Sequence, residues 1–270
     1  MTEFFEWQDA PPGDFAVIGD PVAHSLSPKM HAAAFAVLGL NLTYRALRVR
    51  TGQVAEALDH LGGLGYRGVN VTVPHKAEAR AAMRDVDDFA ARCDSVNTIR
   101  LPDRAGISTD GPGFLDTLRD DLAPGAPVLL LGAGGSARSI ALALTIGGYN
   151  LTIWNRTHSR AADLIRGLGI SAEIVEVPAL NDFDLVVNAT SASLAGESPC
   201  YLPKIQIPKS KIPVAYDLVY GETPFLAQAA AAGWRSMDGK PLLAAQGARS
   251  LEFWLPGIVA PREAMLEAIR

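Results

Sequence analysis

Residues 127–160 constrain the fold of this chain more than any other stretch of its sequence. An apolar run at 128–131 stops at the sequence Gly-Ala-Gly-Gly, 132–135, and an amphipathic helical pattern follows. A second strand-like run, 151–154, comes after the helix. A strand, a glycine turn, a helix and a second strand in this order are typical of a βαβ unit that binds a dinucleotide.

The small residues of this turn have distinct predicted roles. Gly132 suits the tight turn, Gly134 lets the backbone approach a pyrophosphate, and Ala137 allows the helix to lie close to the sheet. Backbone amides at the start of the helix, together with the positive end of the helix dipole, favour phosphate groups. The turn is therefore the predicted cofactor-binding loop.

The residues after the second strand distinguish between the two nicotinamide cofactors. A site for NAD usually has an aspartate or glutamate here, which binds the ribose hydroxyls. This chain has Arg156 instead, and Arg160 lies one helical turn further on. Guanidinium groups suit an adenosine 2′-phosphate, which a carboxylate would repel. The sequence therefore predicts NADP, although Arg160 alone is equally consistent with a solvated helix residue.

Length and composition describe a globular protein of about two domains. The chain has 270 residues, 49% of them hydrophobic and 20% charged, which is more than one average domain and unlike a disordered chain. A net charge of −5 argues against nucleic acid or an acidic membrane as partner. Cys93 and Cys200 make neither a disulfide framework nor a metal site. With no signal peptide and no apolar run of membrane-spanning length, we expect a cytoplasmic protein without a bound metal.

Strand-like and helix-like stretches alternate along the chain, which predicts α/β layers with mostly parallel strands. The predicted strands outside the glycine motif are 15–18, 43–49, 68–73, 95–101, 172–177, 185–188 and 214–217. The predicted helices are 28–38, 54–61, 77–91, 114–118, 161–168, 224–232 and 242–254. A loop rich in proline and lysine, 199–213, is expected to be a mobile surface segment.

The first group of polar residues outside the glycine motif is at 24–28. Ser27 as an N-cap with Pro28 at the first helical position is ordinary helix-start chemistry, but Ser25 has no such explanation. The two hydroxyls and the start of the helix would suit a small anion such as a carboxylate.

The second group follows a predicted buried strand. Asn70 and Thr72 lie on one face of that strand and need polar partners, which a hydroxylated substrate would provide. Lys76 comes just after the strand, at the end where open α/β sheets bind ligands. Lys76 is equally consistent with a surface lysine that begins the next helix.

The remaining two groups contain isolated polar residues. Asn97 lies among strand formers, where an amide needs a partner, and Asp110 suits either a turn or a functional carboxylate. Tyr220 follows a buried-looking strand, and Gln246 lies in an apolar helix, where a glutamine is more often satisfied by the helix bundle than by a ligand.

Together and in this order, these groups resemble the shikimate dehydrogenase family along the whole chain. The motifs that carry the resemblance are Ser-Leu-Ser-Pro at 25–28, Asn-Val-Thr-Val-Pro-x-Lys at 70–76, Val-Asn-Thr at 96–98, Thr-Asp-Gly-x-Gly at 109–113, Gly-Ala-Gly-Gly at 132–135 and Asn-Arg-Thr at 155–157. The resemblance implies an NADP-dependent oxidoreductase that reversibly reduces 3-dehydroshikimate to shikimate, a step in the biosynthesis of chorismate and the aromatic amino acids.

The resemblance also implies roles for individual residues. Lys76 and Asp110 would be the catalytic pair, and Ser25 and Ser27 would bind the substrate carboxylate. The other substrate-binding residues would be Asn70, Thr72, Asn97 and Gln246, with Asp110 holding a ring hydroxyl and Tyr220 lining the site. The cofactor residues would be Gly132, Ala133, Gly134, Gly135, Ser136, Asn155, Arg156, Thr157, Arg160, Leu218, Gly239 and, less firmly matched, Asp88.

A few positions depart from the family's usual residues. Ser136 replaces alanine in the glycine turn, and Asp94-Ser95 replaces Gly-Ala close to Asn97, where substrate contacts could shift. Leu218 replaces methionine, and Pro241 replaces a second glycine. The last two would lie beside the nicotinamide, so we expect them to affect cofactor affinity more than reaction type.

In the implied reaction, hydride transfer belongs to the nicotinamide, and the protein manages one proton at the oxygen of the same carbon. Burial would favour a neutral Lys76, whereas a nearby Asp110 carboxylate would favour a charged one. A charged Lys76 would stabilise the alkoxide while Asp110 steers or shuttles the proton; a neutral Lys76 would itself be the base. We favour Lys76 as the proton donor in the reductive direction.

The predicted fold class is α/β, with two α/β domains separated by a cleft that closes during transfer. Residues 1–112 and 238–270 form the predicted substrate-binding domain, and residues 113–237 the NADP-binding Rossmann domain. We expect a small-molecule substrate as the partner of a monomer or homodimer. Two alternatives are a quinate/shikimate dehydrogenase of broader specificity, which an aspartate in place of Arg156 would have favoured, and a catalytically silent NADP-binding sensor, which would be expected to lack Lys76 or Asp110.

Overall fold

The structure is a computed structural model that describes residues 3–118, 122–176, 182–199 and 212–270. It divides into two compact units, Met1–Gly113 with Leu243–Arg270, and Phe114–Leu242. These divisions fall slightly later in the chain than those expected after residues 112 and 237. The first unit is therefore built from both ends of the chain, and the second from its middle.

The helices and strands alternate in both units. The strands are β1 (Phe4–Glu6), β2 (Phe15–Gly19), β3 (Tyr44–Arg48), β4 (Gly68–Val71), β5 (Asp85–Val86), β6 (Thr98–Arg100), β7 (Ala105–Ile107), β8 (Pro127–Leu131), β9 (Asn150–Trp154), β10 (Glu173–Ile174), β11 (Leu185–Asn188), β12 (Val214–Asp217) and β13 (Arg235–Met237). The helices are α1 (Ser27–Val37), α2 (Val54–Gly63), α3 (Lys76–Ala82), α4 (Asp88–Cys93), α5 (Asp110–Leu118), α6 (Gly135–Ile146), α7 (His158–Leu168), α8 (Pro224–Ala231), α9 (Lys240–Trp254) and α10 (Arg262–Ile269).

The sheet of the first unit has the strand order β1-β3-β2-β4-β6-β7-β5. Strand β6 is antiparallel to both of its neighbours, and the other pairs are parallel. As a result, the residues just before β6 lie at the same edge as the residues that follow β2, β4 and β7. This edge gathers polar segments from four strands.

Alternating side chains of β2 supply two cores, one on each face of this sheet. Ala16 and Ile18 pack with α2 and its surroundings, in a cluster that also contains Leu58. Phe15 and Val17 pack on the opposite face, in a cluster with residues of α1, α9 and α10. Every residue of β2 is buried, as expected for a central strand covered on both sides.

The sheet of the second unit is parallel throughout, with the order β10-β9-β8-β11-β12-β13. Numbered along the chain, this is the 3-2-1-4-5-6 order of the dinucleotide-binding Rossmann sheet. The direction of winding reverses between β8 and β11, so the glycine turn after β8 lies at the topological switch point, where such sheets bind ligands.

Several elements differ from the sequence prediction. The single helix expected at 77–91 is two helices, α3 and α4, separated by β5, because Met83 is extended and the Asp87 carboxylate caps α4 by accepting from Ala90 N. The strand expected at 68–73 ends at Val71. The short elements β1, β7, β13 and α10 were not expected. Most of the proline- and lysine-rich loop, 200–211, lies outside the described residues.

Across the ranges that the structure describes, no helix combines the length and apolar character needed to cross a bilayer.

Candidate active site

Polar residues from three strand ends and one helix meet at the edge of the first sheet. Thr72 and Lys76 follow β4, Asn97 precedes β6, and Asp110 follows β7. Gln246 comes from the middle of α9. Strand direction, including the reversed direction of β6, thus brings Lys76, Asn97 and Asp110 together, and α9 adds Gln246.

Lys76 and Asp110 form an ion pair at this edge. Lys76 Nζ donates a hydrogen bond to Asp110 Oδ2. Only 15% of the Lys76 side chain and 11% of the Asp110 side chain are exposed, so the pair is shielded from bulk water but still reachable. The backbone supports this position, because Val96 N donates to the Lys76 carbonyl oxygen at 3.1 Å and ties the start of α3 to the segment before β6.

Asn97 connects this ion pair to its neighbours. Its Nδ2 donates to Asp110 Oδ1 at 2.9 Å and to Thr109 Oγ1 at 3.0 Å. The same nitrogen lies 3.3 Å from Gln246 Oε1. Its Oδ1 accepts a hydrogen bond from Thr109 N at 2.8 Å. Asp110 therefore receives the Lys76 ammonium on one oxygen and an amide N–H on the other, which fixes the plane of its carboxylate.

Gln246 reaches the site because α9 approaches the start of α5 very closely. A Cβ atom added at Gly113 would lie 2.8 Å from Gln246 N and 3.0 Å from Gln246 Cα, so only glycine fits there. Gln246 Nε2 donates to the carbonyl oxygen of Leu243 at 2.9 Å, which leaves its Oε1 directed at Asn97 and Thr109. The last glycine of the Thr-Asp-Gly-x-Gly motif thus has a packing role.

Ser25 and Ser27 lie at the start of α1, but not in the arrangement expected from the sequence. The helix begins at Ser27, and Leu26 occupies the N-cap position without a side-chain cap. Instead, Ser27 N donates to Ser25 Oγ at 3.3 Å. The prediction that Ser27 is the N-cap is therefore wrong: the Ser25 hydroxyl serves the helix start, because it follows a turn in which Ser25 N bonds Val22 O.

Thr72 and Asn70 do not share a strand face, because β4 ends at Val71. Thr72 N donates to Ile18 O at 2.9 Å, and its methyl group occupies the space where a side chain at Gly19 would otherwise lie. Asn70 is buried, and its amide is used by protein partners: Tyr44 Oη donates to Oδ1 at 2.7 Å, and Nδ2 donates to Asn97 O at 3.1 Å. Asn70 therefore lies in the interior of the first unit, behind the polar residues at the edge of the sheet.

A buried histidine completes the region behind Asn70. The imidazole of His31 stacks on the Tyr44 ring, with centroids 4.3 Å apart and an interplanar angle of 7°. Complete burial lowers the pKa of His31 to about 3, against an opposing effect of Asn70. His31 is therefore a neutral packing residue at physiological pH.

In the second unit, the glycine turn leaves room for a ligand. Gly132 has φ +112°, and a Cβ there would lie 3.1 Å from the carbonyl group of Ala189, so this position requires glycine. Helix α6 begins at Gly135, and a Cβ at Gly134 or Gly135 would meet no atom within 4 Å. Backbone donors at a helix start beside open space suit the pyrophosphate of a dinucleotide. Ala133 and Ser136 flank these glycines.

The residues after β9 form the second part of this region. Asn155 Nδ2 donates to the carbonyl oxygen of Thr157 at 2.8 Å, which shapes the turn into α7. Arg156 and Arg160 are exposed, the first in the turn and the second in the first turn of the helix. Both guanidinium groups are therefore accessible to a phosphate group.

Leu218 and Gly239 lie in the same unit. Leu218 N donates to Asn188 O at 3.1 Å, and a Cβ at Gly239 would collide with the Leu218 carbonyl group. The loops after β12 and β13 therefore touch backbone to backbone. Tyr220 follows in this unit and is half-exposed, whereas Asp88 is an exposed residue at the start of α4 in the first unit.

A buried carboxylate holds these loops, which the sequence did not single out for that purpose. Asp217 accepts hydrogen bonds from Asn188 Nδ2 at 3.1 Å, Ser193 Oγ at 2.5 Å, Thr223 Oγ1 at 2.8 Å and Val219 N at 3.1 Å. It lies at the end of β12, directly before Leu218. Four donors on one buried anion fix the carboxyl ends of β11 and β12.

Sequence reasoning also missed the polar residues around Asn70. Thr98 is the last residue of the Val-Asn-Thr motif, and Ser250 lies four residues after Gln246, on the same face of α9. That helical spacing was the available signal for Ser250. Nothing in the sequence near Tyr44 indicates that its hydroxyl reaches Asn70.

Comparison with known proteins gives a consistent result. Two family models match the chain, the shikimate dehydrogenase substrate binding domain over residues 17–99 and shikimate / quinate 5-dehydrogenase over residues 119–196. The chain is 43% identical to a shikimate dehydrogenase (NADP(+)) of Moorella thermoacetica over 282 residues, covering 96% of this chain and 92% of that protein.

Solved structures agree with the sequence relatives. The shikimate dehydrogenase of Aquifex aeolicus matches with a TM-score of 0.87 and 32% identity, over 97% of this chain and 99% of that one. The shikimate 5-dehydrogenase of Thermus thermophilus, solved in complex with NADP(H) and shikimate, matches with a TM-score of 0.85 and 38% identity, over 94% of this chain and 97% of that one. The chain therefore belongs to the shikimate dehydrogenase family.

Proposed function

We propose that this chain is an NADP-dependent oxidoreductase that reversibly reduces 3-dehydroshikimate to shikimate. The observation that carries the proposal is the shielded Lys76–Asp110 ion pair within a cluster of amide and hydroxyl groups at the edge of the first sheet. The Moorella thermoacetica relative is named shikimate dehydrogenase (NADP(+)), and the Thermus thermophilus structure contains NADP(H) and shikimate. The second unit adds the glycine turn and the exposed arginines that suit NADP.

The substrate is held by groups that match its chemistry. Ser25 and Ser27, at the start of α1, bind the carboxylate, since hydroxyls and helix-start amides favour an anion. Thr72, Asn97 and Gln246 bind the ring hydroxyls, and Tyr220 lines the site. Asn70 has its amide committed to Tyr44 and Asn97, so its role is to hold Asn97 in place.

Lys76 supplies the proton in the reductive direction. The ammonium, held by Asp110, donates its proton to the carbonyl oxygen as that carbon receives a hydride, and the carbon–oxygen double bond becomes an alcohol. Asp110 orients Lys76 and binds a neighbouring ring hydroxyl. In the oxidative direction, the same amine takes the proton back. Lys76 and Asp110 thus manage the one proton of the reaction between them.

The second unit holds NADP, which supplies the hydride when bound. Gly132, Ala133, Gly134, Gly135 and Ser136 bind the pyrophosphate, and Arg156 binds the adenosine 2′-phosphate. Asn155 and Thr157 shape the turn that carries Arg156, and Arg160 adds a second cation. Leu218 and Gly239 would hold the nicotinamide end of the cofactor, and Asp88 would be a further, less firmly matched acidic residue.

The test is an oxidation assay with purified protein, shikimate and NADP, in which NADPH absorbance is followed and quinate and NAD serve as parallel controls. A rise with shikimate and NADP alone supports the proposal. Equal rates with quinate or NAD favour the enzyme of broader specificity. No rise in any mixture, from folded protein that still binds NADPH, favours the silent NADP-binding sensor. The proposal includes a cytoplasmic enzyme that is a monomer or homodimer.

A further inference from the structure

Behind Asn97 and Asp110 lie four buried polar side chains that the proposed reaction does not use directly. They are Tyr44 from β3, Asn70 from β4, Thr98 from β6 and Ser250 from α9, and we refer to them as the buried polar group. Thr98 and Ser250 are completely buried, and Asn70 is 5% exposed. Buried hydroxyl and amide groups are costly unless each has a partner, so their hydrogen bonds specify one arrangement.

Tyr44 is the first donor in this series of hydrogen bonds. Its hydroxyl donates to Asn70 Oδ1 at 2.7 Å, which fixes the orientation of the Asn70 amide. Asn70 Nδ2 then faces the hydroxyl oxygens of Thr98 and Ser250, each at 3.0 Å. A hydroxyl has one proton to donate. Ser250 Oγ and Thr98 Oγ1 lie 2.8 Å apart, and with Ser250 as the donor in that contact, Thr98 gives its own proton to Asn97 Oδ1 at 3.2 Å.

The orientation of Asn97 follows from this order. Its Oδ1 accepts from the Thr98 hydroxyl at 3.2 Å and from Thr109 N at 2.8 Å, so its nitrogen faces Asp110 Oδ1 at 2.9 Å. A flipped Asn97 would place an amide oxygen against the Asp110 carboxylate, and two acceptors would then face each other without a proton. The Thr98 hydroxyl opposes that flip.

We infer that Thr98 is a positioning residue for the proposed reaction. Its hydroxyl, ordered by Tyr44 through Asn70, holds the Asn97 amide with its nitrogen toward Asp110 and so keeps Asp110 aligned on Lys76. The inference rests on the proposed function, because it assigns Thr98 to the alignment of the proton-transfer pair. Thr98 acts through Asn97 and has no part in binding NADP.

The first arm of the test compares Thr98→Val with Thr98→Ser. Valine keeps the size of threonine and removes the hydroxyl, so we expect kcat with shikimate to fall roughly tenfold, the factor given by losing one net hydrogen bond at the upper end of its range. Serine keeps the hydroxyl and should retain at least about half of the wild-type kcat. The KM for NADP should change less than about twofold in both. A serine variant as impaired as the valine variant would overturn the inference.

The second arm repeats Thr98→Val in an Asn97→Ala background. If Thr98 acts through Asn97, its removal there costs no further kcat. A general structural role for Thr98 would lower kcat by the same factor in both backgrounds, and that result would also overturn the inference.

The third arm is independent of activity. Side-chain amide signals in ¹⁵N NMR spectra, assigned to Asn97 by their loss in Asn97→Ala, should broaden or shift in Thr98→Val and remain in Thr98→Ser. Tyr44→Phe removes only the first donor and should move the same signals, which keeps the test decisive if Thr98→Val does not fold. Unchanged Asn97 signals would refute the positioning role. A wild-type protein without turnover would refute the proposed function alone, because this arm needs no substrate.

Discussion

Lys76 is the residue on which the proposed chemistry depends most. It is the first residue of α3, it is held by Asp110, and little of its side chain is exposed. Because the pair is largely shielded from water, solvent screens its charges only weakly. Removing the Lys76 ammonium would therefore leave the Asp110 carboxylate without the charge that compensates it.

Lys76→Ala should therefore lower kcat at least about a hundredfold, the usual contribution of a positioned general acid. NADPH affinity should stay within about twofold, because the glycine turn and Arg156 are unaffected. Turnover and NADPH fluorescence titration measure the two effects. Arg84→Ala, which removes an exposed cation just beyond α3, serves as the control. Unchanged turnover in Lys76→Ala would exclude Lys76 as the acid.

Arg156 is the residue that we expect to select the cofactor. Arg156→Asp should raise the KM for NADP at least about tenfold, since a charge-assisted hydrogen bond is replaced by repulsion, and should lower the preference for NADP over NAD. Steady-state kinetics with both cofactors measure this. Arg160→Ala, made in parallel, decides whether the second arginine contributes, because an ordinary solvated residue would leave both KM values unchanged.

Asp94 replaces the glycine that is usual in the family, and its backbone shows the consequence. Its φ of +50° lies in the left-handed region, where a Cβ atom is unfavourable. Asp94→Gly should therefore raise the free energy of unfolding by about 1 kcal/mol, measured by urea denaturation. Asp94→Ala keeps the Cβ and should bring no gain. Equal stability of the glycine variant and the wild type would show that the aspartate side chain compensates for its backbone.

Much of the site could be predicted at this scale, because the chemistry is carried by short contiguous motifs. Asn97, Asp110 and Lys76 were recognisable from their motifs, and the structure brings them into contact. Their supporting partners were not, since Tyr44 and Ser250 reach Asn70 from elements far away in sequence. Ser27 was assigned a capping role that belongs to the Ser25 hydroxyl, because helix starts are uncertain by a residue in sequence patterns.

At the scale of elements, the long central strands and amphipathic helices were predictable, but the short edge elements were not. Strands of two or three residues such as β5 and β7 carry no readable periodicity, and β7 contains Gly106. The reversed direction of β6 is also absent from the sequence pattern, because alternation of side chains is the same in both directions. That reversal is what brings Asn97 to the edge where Lys76 and Asp110 lie.

The close contact between α5 and α9 at Gly113 is an element-level constraint on the site. Gly113→Ala would push α9 away and displace Gln246, so we expect a loss of about 1–3 kcal/mol in the free energy of unfolding together with a higher KM for shikimate. Gly62→Ala in α2 is the matched control, because a Cβ there meets no atom within 4 Å.

In that control, alanine should stabilise the protein by roughly 0.5–1 kcal/mol through its better helix propensity. Urea denaturation of both variants, with shikimate kinetics, gives the comparison. A Gly113→Ala variant as stable and active as the wild type would mean that α9 moves aside at little cost.

For the whole molecule, His31 makes stability depend on pH. Its pKa is lowered from 6.5 to about 3 on folding, so the unfolded chain binds a proton below about pH 6.5 that the folded protein does not bind until about pH 3. The free energy of unfolding is therefore not reduced by His31 above about pH 6.5, and it decreases as the pH falls from 6.5 toward 3.

His31→Phe should therefore reduce the acid sensitivity of the free energy of unfolding. Between about pH 6 and pH 4 the wild type should lose about 2 kcal/mol more than this variant, measured by urea denaturation at a series of pH values. His24→Gln, at an exposed histidine, should behave like the wild type in this comparison. Parallel pH curves for wild type and His31→Phe would show that the imidazole is protonated in the folded state.

The first unit is assembled from two separate segments, which has a consequence for how the protein is made. Phe15 and Val17 share their core cluster with Leu251, Trp254 and Met265. Because synthesis proceeds from the amino terminus, that face of the sheet has α1 but lacks α9 and α10 until the final segment emerges from the ribosome, whereas the continuous Rossmann unit can complete its fold earlier. We therefore expect a nascent chain to complete its second unit before its first, and a premature stop after the second unit to release a chain whose first unit is unfinished and prone to aggregate.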